Sequence, residues 1–138
     1  MFFSKKKNEN DNTYLIKVAA LLIHAARIDE KYSIEEEEII KKALLELGTE
    51  QNELDAIINK AKQCEENANQ ILDFTKEIKS LQEEDKIKIV RSLWKIIYSN
   101  KDEDMYESNL MRRLSGLLYI DYKIMGNIKE KIKKEYLK

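Results

Sequence analysis

The chain is predicted to be an all-α protein of about seven helices in a compact bundle, on three observations. Its 138 residues include no proline and only three glycines, so the residues that interrupt helices are nearly absent. Hydrophobic residues make up 43% of the chain and charged ones 37%, enough apolar material for one sizeable core and too much for a disordered chain. Apolar positions recur at steps of three and four, the period of a helix that buries one face.

Residues 1–12 are polar after Met1, Phe2 and Phe3 and are expected to form a flexible N-terminal arm ahead of a single helical domain over 13–138. From 13 to 28, Leu15, Ile16, Val18, Leu21, Leu22, Ile23 and Ala26 cover more than one stripe, which marks a first, central helix buried on most sides. Ser33 then opens a second helix. With Glu36 three residues on, it makes the S-x-x-E capping box, in which each side chain satisfies the other's backbone N–H. Ile40, Ala43 and Leu47 supply the inner stripe, and Gly48 supplies the stop.

Thr49 restarts the chain, and Leu54, Ile57, Ile58 and Ala61 space out a third helix to about Cys64. Asn67 is set as the cap of a fourth, with Ile71, Leu72, Phe74, Thr75, Ile78 and Leu81 on its core face. The fifth runs from about Glu83 to Ser99 and carries Ile87, Val90, Leu93, Trp94, Ile97 and Tyr98. Asp104 with Glu107 repeats the capping box and opens a sixth helix with Leu110, Met111, Leu114, Leu117 and Leu118. Asp121 caps a seventh, with Ile124, Met125, Ile128 and Ile132 inward.

The stretch LLIHAARIDEKYSIEEEE at 21–38 is echoed by SLWKIIYSNKDEDMYESN at 92–109. Asp29 matches Asn100, Ser33 matches Asp104 and Glu36 matches Glu107 at one offset of 71 positions. Two pseudo-symmetric halves are therefore expected, helices 1–3 and 5–7, joined by helix 4. Each carries an acidic helix–loop–helix turn: Asp29, Glu30 and Glu36 in the first, Asn100, Asp102, Glu103, Asp104 and Glu107 in the second.

Several oxygen ligands within eight residues suit a hard cation, and Asn100, Asp102 and Asp104 alternate as in the first half of an EF-hand. The match ends there, with Met105 at the glycine position and Met111 at the bidentate glutamate. Two readings of the acids compete. Capping boxes explain Ser33 with Glu36 and Asp104 with Glu107 without any ligand, at about 1 kcal/mol per cap. Against that, Glu36 and Glu107 stand at helical spacing from the inner stripes of their helices, so both carboxylates lean inward. An inward carboxylate needs a backbone N–H, an arginine or a metal.

Other charged and reactive residues have plainer explanations. The run Glu35 to Glu38 offers Glu37–Lys41 and Glu38–Lys42 as i,i+4 pairs on a solvated face. His24 is expected to be a core or hydrogen-bonded histidine, since no second histidine or E-x-x-H pattern accompanies it. Cys64 is the lone cysteine, so no intramolecular disulfide can form. Phosphate-loop, nucleophile-elbow and zinc-spaced Cys/His motifs are all missing from the sequence, and an enzymatic role is not expected; acid–base use of Asp29 and Glu36 would need a ligand-sized pocket beside them. A net charge of −1 and a pI of about 6.0 give no field to attract nucleic acid. No run reaches the ~20 apolar residues of a membrane span. The start MFFSKKKNENDN lacks a secretory pattern, so a cytoplasmic location is expected.

The ordered combination ALLIHAARIDEKYSIEEEEI, LDFTKEI and IVRSLWKIIYSNKDEDMYESNLMRRLSGLL resembles the TerB-like family, bacterial proteins related to tellurite-resistance protein B. The resemblance runs from about Leu15 to Ile128. It implies an all-helical fold of about seven helices with internal symmetry, and an A-D-G-x-x-D-x-x-E loop in each half whose acids are linked to divalent metal. Carried over, Asp29, Ser33 and Glu36 fill the first loop and Asn100, Asp104 and Glu107 the second. Glu30 and Lys101 replace both glycines, and Asn100 and Ser33 replace aspartates, so ligand charge and loop freedom are reduced. The function expected from this is a non-enzymatic interaction module in a bacterial stress or tellurite-resistance context. It would bind a protein partner or membrane-associated complex, with Asp29, Glu36, Asn100, Asp104 and Glu107 offered to a divalent cation (Ca²⁺, Mg²⁺ or Zn²⁺). The alternative is a purely structural protein–protein interaction domain whose acids only cap helices.

Overall fold

The computed structural model describes residues 2–27, 33–68, 70–99 and 105–136, with side chains from residue 13 onward and, in the sixth helix, from 109. The described residues form seven α-helices: α1 Phe2–Ala26, α2 Ile34–Glu46, α3 Leu54–Asn67, α4 Leu72–Ile78, α5 Glu83–Ser99, α6 Met105–Leu117 and α7 Tyr122–Tyr136. A single 3₁₀ turn, Gln51–Glu53, leads into α3. No strand occurs among the described residues.

Two helices form the inside. In α1 every residue from Val18 to Ile23 is buried, and successive residues of a helix point about 100° apart, so apolar neighbours must close on all sides. They do: α3 and α4 pack along α1, and α5 and α2 complete the surround. Ala19, Ala20, Ala25 and Ala26 keep the surface of α1 shallow, which lets these neighbours come close. The second inside helix is α5, burying Ile89, Val90, Leu93, Trp94, Ile96, Ile97 and Tyr98 against α1, α2 and α7. The outer helices each contribute a stripe, such as Leu54, Ile57, Ile58 and Ala61 of α3 and Met125, Ile128 and Ile132 of α7. All of these join one continuous core.

The helix stops are local chemistry. After α2 the chain turns at Gly48 with φ +104°, and the Thr49 N–H donates back to the Leu44 carbonyl at 2.9 Å. The same 6→1 closure ends α6, where Ile120 N–H donates to Ser115 at 3.0 Å and Tyr119 takes φ +56°. Gly48 and Tyr119 are again 71 positions apart. Tyrosine holds a conformation that favours glycine, and its exposed ring lies 5.8 Å from the Lys79 ammonium and 5.9 Å from that of Lys86. Asp121 caps α7 by accepting from the Lys123 N–H at 2.8 Å. In the last turn of α7, burial pushes the Tyr136 phenol above its ordinary range, with the nearby carboxylates of Glu35 and Glu135 adding to the effect.

Several boundaries differ from the sequence expectation. Helix α1 begins at Phe2, where the periodicity predicts a start at 13 after an arm; no proline or glycine between Phe2 and Ala26 halts its propagation. Asn67 is the last residue of α3 and does not cap α4. Helix α4 is one short element in which Phe74, Thr75 and Ile78 are buried while Leu72 is exposed, because seven residues are about two turns and can present only one narrow stripe. Leu47 is the C-cap of α2 and is only half-buried. Glu37 pairs with Lys41 at 3.7 Å, but Glu38 and Lys42, both exposed, make no ion pair with each other; water competes successfully for such long side chains.

Two predictions follow from the helix ends. Gly48→Ala should cost about 1–3 kcal/mol, because φ +104° strains any side chain although nothing crowds it, whereas Gly126→Ala, in open space on α7, should gain about 0.5–1 kcal/mol. Urea unfolding of the two variants should move in opposite directions. A raised phenol pKa favours the folded state below the ordinary tyrosine range, and that stabilisation is lost as pH rises through the folded value. Tyr136→Phe should remove one phenol that titrates above the ordinary range from the absorbance titration and lessen the alkaline fall in stability.

Candidate functional site

The first acidic turn joins the end of α1 to the start of α2, and helix α3 holds both stems. On the α1 side, Arg27 Nη1 donates to Glu65 Oε1 at 2.6 Å, and His24 Nδ1 lies 3.3 Å from Glu65 Oε2. The His24 ring also packs 5.9 Å from Phe74 while remaining half-buried, so of the core and hydrogen-bonded readings it is the hydrogen-bonded one that holds. On the α2 side, Glu37 Oε1 takes the Lys62 ammonium at 3.4 Å. Lys62 and Glu65 stand three residues apart on α3, so one face of that helix sets the spacing of the two stems. Glu65 keeps only 14% of its side-chain surface, which makes its contact with Arg27 stronger than an ordinary surface pair.

Ser33 ends the turn in extended conformation, with φ −85° and ψ 164°. Its N–H donates to Glu36 Oε1 at 2.8 Å, and its Oγ accepts from the Glu36 N–H at 3.1 Å, so the capping box is closed from both sides. Glu36 is fully buried, as the inward lean required. Ile34 beside it is the opposite case, with 84% of its surface in water.

Of the residues offered to a cation, only Glu36 is placed in full. Asp29, Asn100 and Asp104 lie outside the described residues; Glu107 sits in the first turn of α6, and its side chain lies outside the described ones. Among the described residues no group of three or more His, Cys, Asp and Glu side chains comes together in a way that could hold a metal. Cys64 is half-buried, with the Lys17 ammonium 3.8 Å from its sulfur.

Two features escaped the sequence reading. One is the α3 clamp, since nothing in the periodicity of Lys62 and Glu65 says which stems they reach. The other is a cleft of about 630 Å³ between α5, α6 and α7, assembled from Trp94, Met111, Met125 and charged neighbours that each read as core or surface.

The architecture and the capped turn define a helical-bundle domain of two inner helices wrapped by five. A scan against family models matches residues 15–130 to the family described as Tellurite resistance protein TerB. The chain belongs to the TerB family. No curated protein and no solved structure gives a significant match.

Substitution should separate the two halves of the cap. Ser33→Ala should cost about 1 kcal/mol. Glu36→Gln keeps an acceptor for the Ser33 N–H and should cost about as little, whereas Glu36→Ala leaves that N–H unsatisfied beside a cavity and should cost about 2–3 kcal/mol. Chemical denaturation of the three variants checks the order.

Proposed function

We propose that the chain is a non-catalytic TerB-type interaction module for a protein partner, or a membrane-associated complex, whose twin acidic turns respond to a divalent cation. The observation that carries this reading is the complete burial of the Glu36 carboxylate where the first turn enters α2. A glutamate can complete a capping box while still in water. Full burial withdraws an anion from solvent, which close positive charge or several donors must offset. Asp29, Glu36, Asn100, Asp104 and Glu107 all offer oxygen, the donor that Ca²⁺ and Mg²⁺ require and that Zn²⁺ accepts. Since no group of three or more His, Cys, Asp and Glu side chains among the described residues could hold a metal, a full ligand set has to draw on Asp29, Asn100, Asp104 and Glu107. A bound cation would offset the acids' mutual repulsion, and the turns so held would shape the surface offered to a partner. The family is named for tellurite resistance, and bacterial stress is the setting we propose, in the cytoplasm. No described helix is long and apolar enough to cross a membrane.

A second reading is favoured by the closed Ser33–Glu36 box: the acids cap helices and nothing more, and the domain is a purely structural interaction module. Amide NMR of metal-stripped protein titrated with Ca²⁺, Mg²⁺ and Zn²⁺ decides between them. Saturable shifts confined to 28–36 and 99–107, abolished by Glu36→Gln with Asp104→Asn, are expected. No response at millimolar ion would leave the acids as caps.

A further inference from the structure

The cleft between α5, α6 and α7 combines features that the core does not need. Trp94 lines it, and the indole N–H of Trp94 is buried with no hydrogen-bond partner among the described residues. A buried donor left unpaired is costly, and most such donors in folded proteins are satisfied. Met111 and Met125 form its floor, nearly buried in the free protein, and their unbranched, polarisable side chains can shift rotamer to admit an apolar guest. Its charged lining is Arg112, Lys123, Lys129 and Glu130, three cations against one carboxylate. Arg112 and Lys123 make no ion pair among the described residues, and Lys129 lays its ammonium 5.2 Å from the Trp94 ring centre. Tyr122 lines it with 75% of its surface in water.

We propose that this cleft is the docking site for an acidic peptide segment of a partner protein, one that seats an apolar side chain on Met111 and Met125. Its carboxylates would meet Arg112 and Lys123, and one would accept the Trp94 indole N–H. The inference rests on the interaction-module reading and names the surface and the chemistry of its partner. Charge selects the occupant: a lining of this sign repels basic segments and attracts carboxylates, and the fork of Arg112 suits a carboxylate bidentately. Shape favours a peptide over nucleic acid, because a pocket of this size accepts one or two side chains. Because the indole N–H is buried in the free protein, the ligand reaches it through rotamer changes of the lining side chains, which are fast.

The chain has a single tryptophan, so its indole gives one resolved NMR signal. The probe is a pool of short, end-blocked peptides in which Asp or Glu alternates with Leu, Ile, Met or Phe; the control pool carries Asn and Gln in place of the acids. The acidic pool should shift the Trp94 indole signal and the amides of 111–115 and 122–130 saturably, and the control pool should not. Arg112→Glu with Lys123→Glu, both exposed positions, should weaken binding about tenfold or more. Trp94→Phe should also weaken it several-fold, read well below the variant's unfolding temperature, since trimming a buried indole opens a cavity that lowers thermal stability as well. Unmoved cleft signals, equal response to the control pool, or full binding by the charge-reversed variant each overturn the proposal. Shifts by the acidic pool confined to other surfaces overturn the cleft yet leave an interaction module standing, while silence everywhere counts against that reading too. An equal response to single-stranded oligonucleotide would replace the peptide with phosphate as the occupant.

Discussion

The rest of the fold follows from burying α1 on every side. A helix whose residues from Val18 to Ile23 are all apolar has no face to give to water, so it cannot lie on a surface and must sit among other helices. Packing it away removes most of the apolar surface of α3 and α4, which are too short to be stable helices alone. It also decides where α5 goes. Among the described residues that helix is the only other one buried around most of its girth, and laid beside α1 it leaves room for α2 and α7 on its free flanks. Charged residues are pushed to the outer surfaces of the surrounding helices, which is why a chain with 37% charge still closes a continuous core.

Burial of α1 also brings its C-terminal end, with His24 and Arg27, onto α3. The Arg27–Glu65 and Glu37–Lys62 contacts then hold the entry and exit of the first turn to one rigid helix. Anchoring both stems lowers the entropy cost that a ligand or a closed cap has to offset there. The clamp is therefore the physical link between the core and any role of the acidic turn. It acts on position alone and needs no contact with a bound ion.

Much of this was legible in the sequence because it is local or periodic. The fifth helix, the Ser33–Glu36 box, the Gly48 stop and the Asp121 cap each depend on residues within a few positions of one another, and each is found where spacing put it. The misplacements have the opposite character. Asn67 has the chemistry of a cap but lies where the packing of α3 on α1 rewards one more turn of helix, so tertiary contact overrides the cap preference. Leu72 looks like core by composition, yet only one stripe of the two-turn α4 can reach α1. The start at Phe2 was hidden because polar residues carry no periodicity, even though nothing among them opposes a helix. At the candidate site, Glu36 was legible from helical spacing, but the partners of Glu65 and the α5–α6–α7 cleft were not, since they join side chains from elements far apart in sequence.

The net charge of −1 also shows what a sum conceals. At physiological ionic strength a charge is felt over about 8 Å, so a ligand responds to the lining it enters and not to the total of the chain. Around the first turn the local chemistry is acidic, with Glu35, Glu36 and Glu37 in the opening turn of α2; in the cleft, Arg112, Lys123 and Lys129 outnumber Glu130. Acidic and basic surroundings therefore lie apart on a weakly charged chain, and the two regions cancel only on paper. Their separation on different helices keeps them from neutralising each other directly.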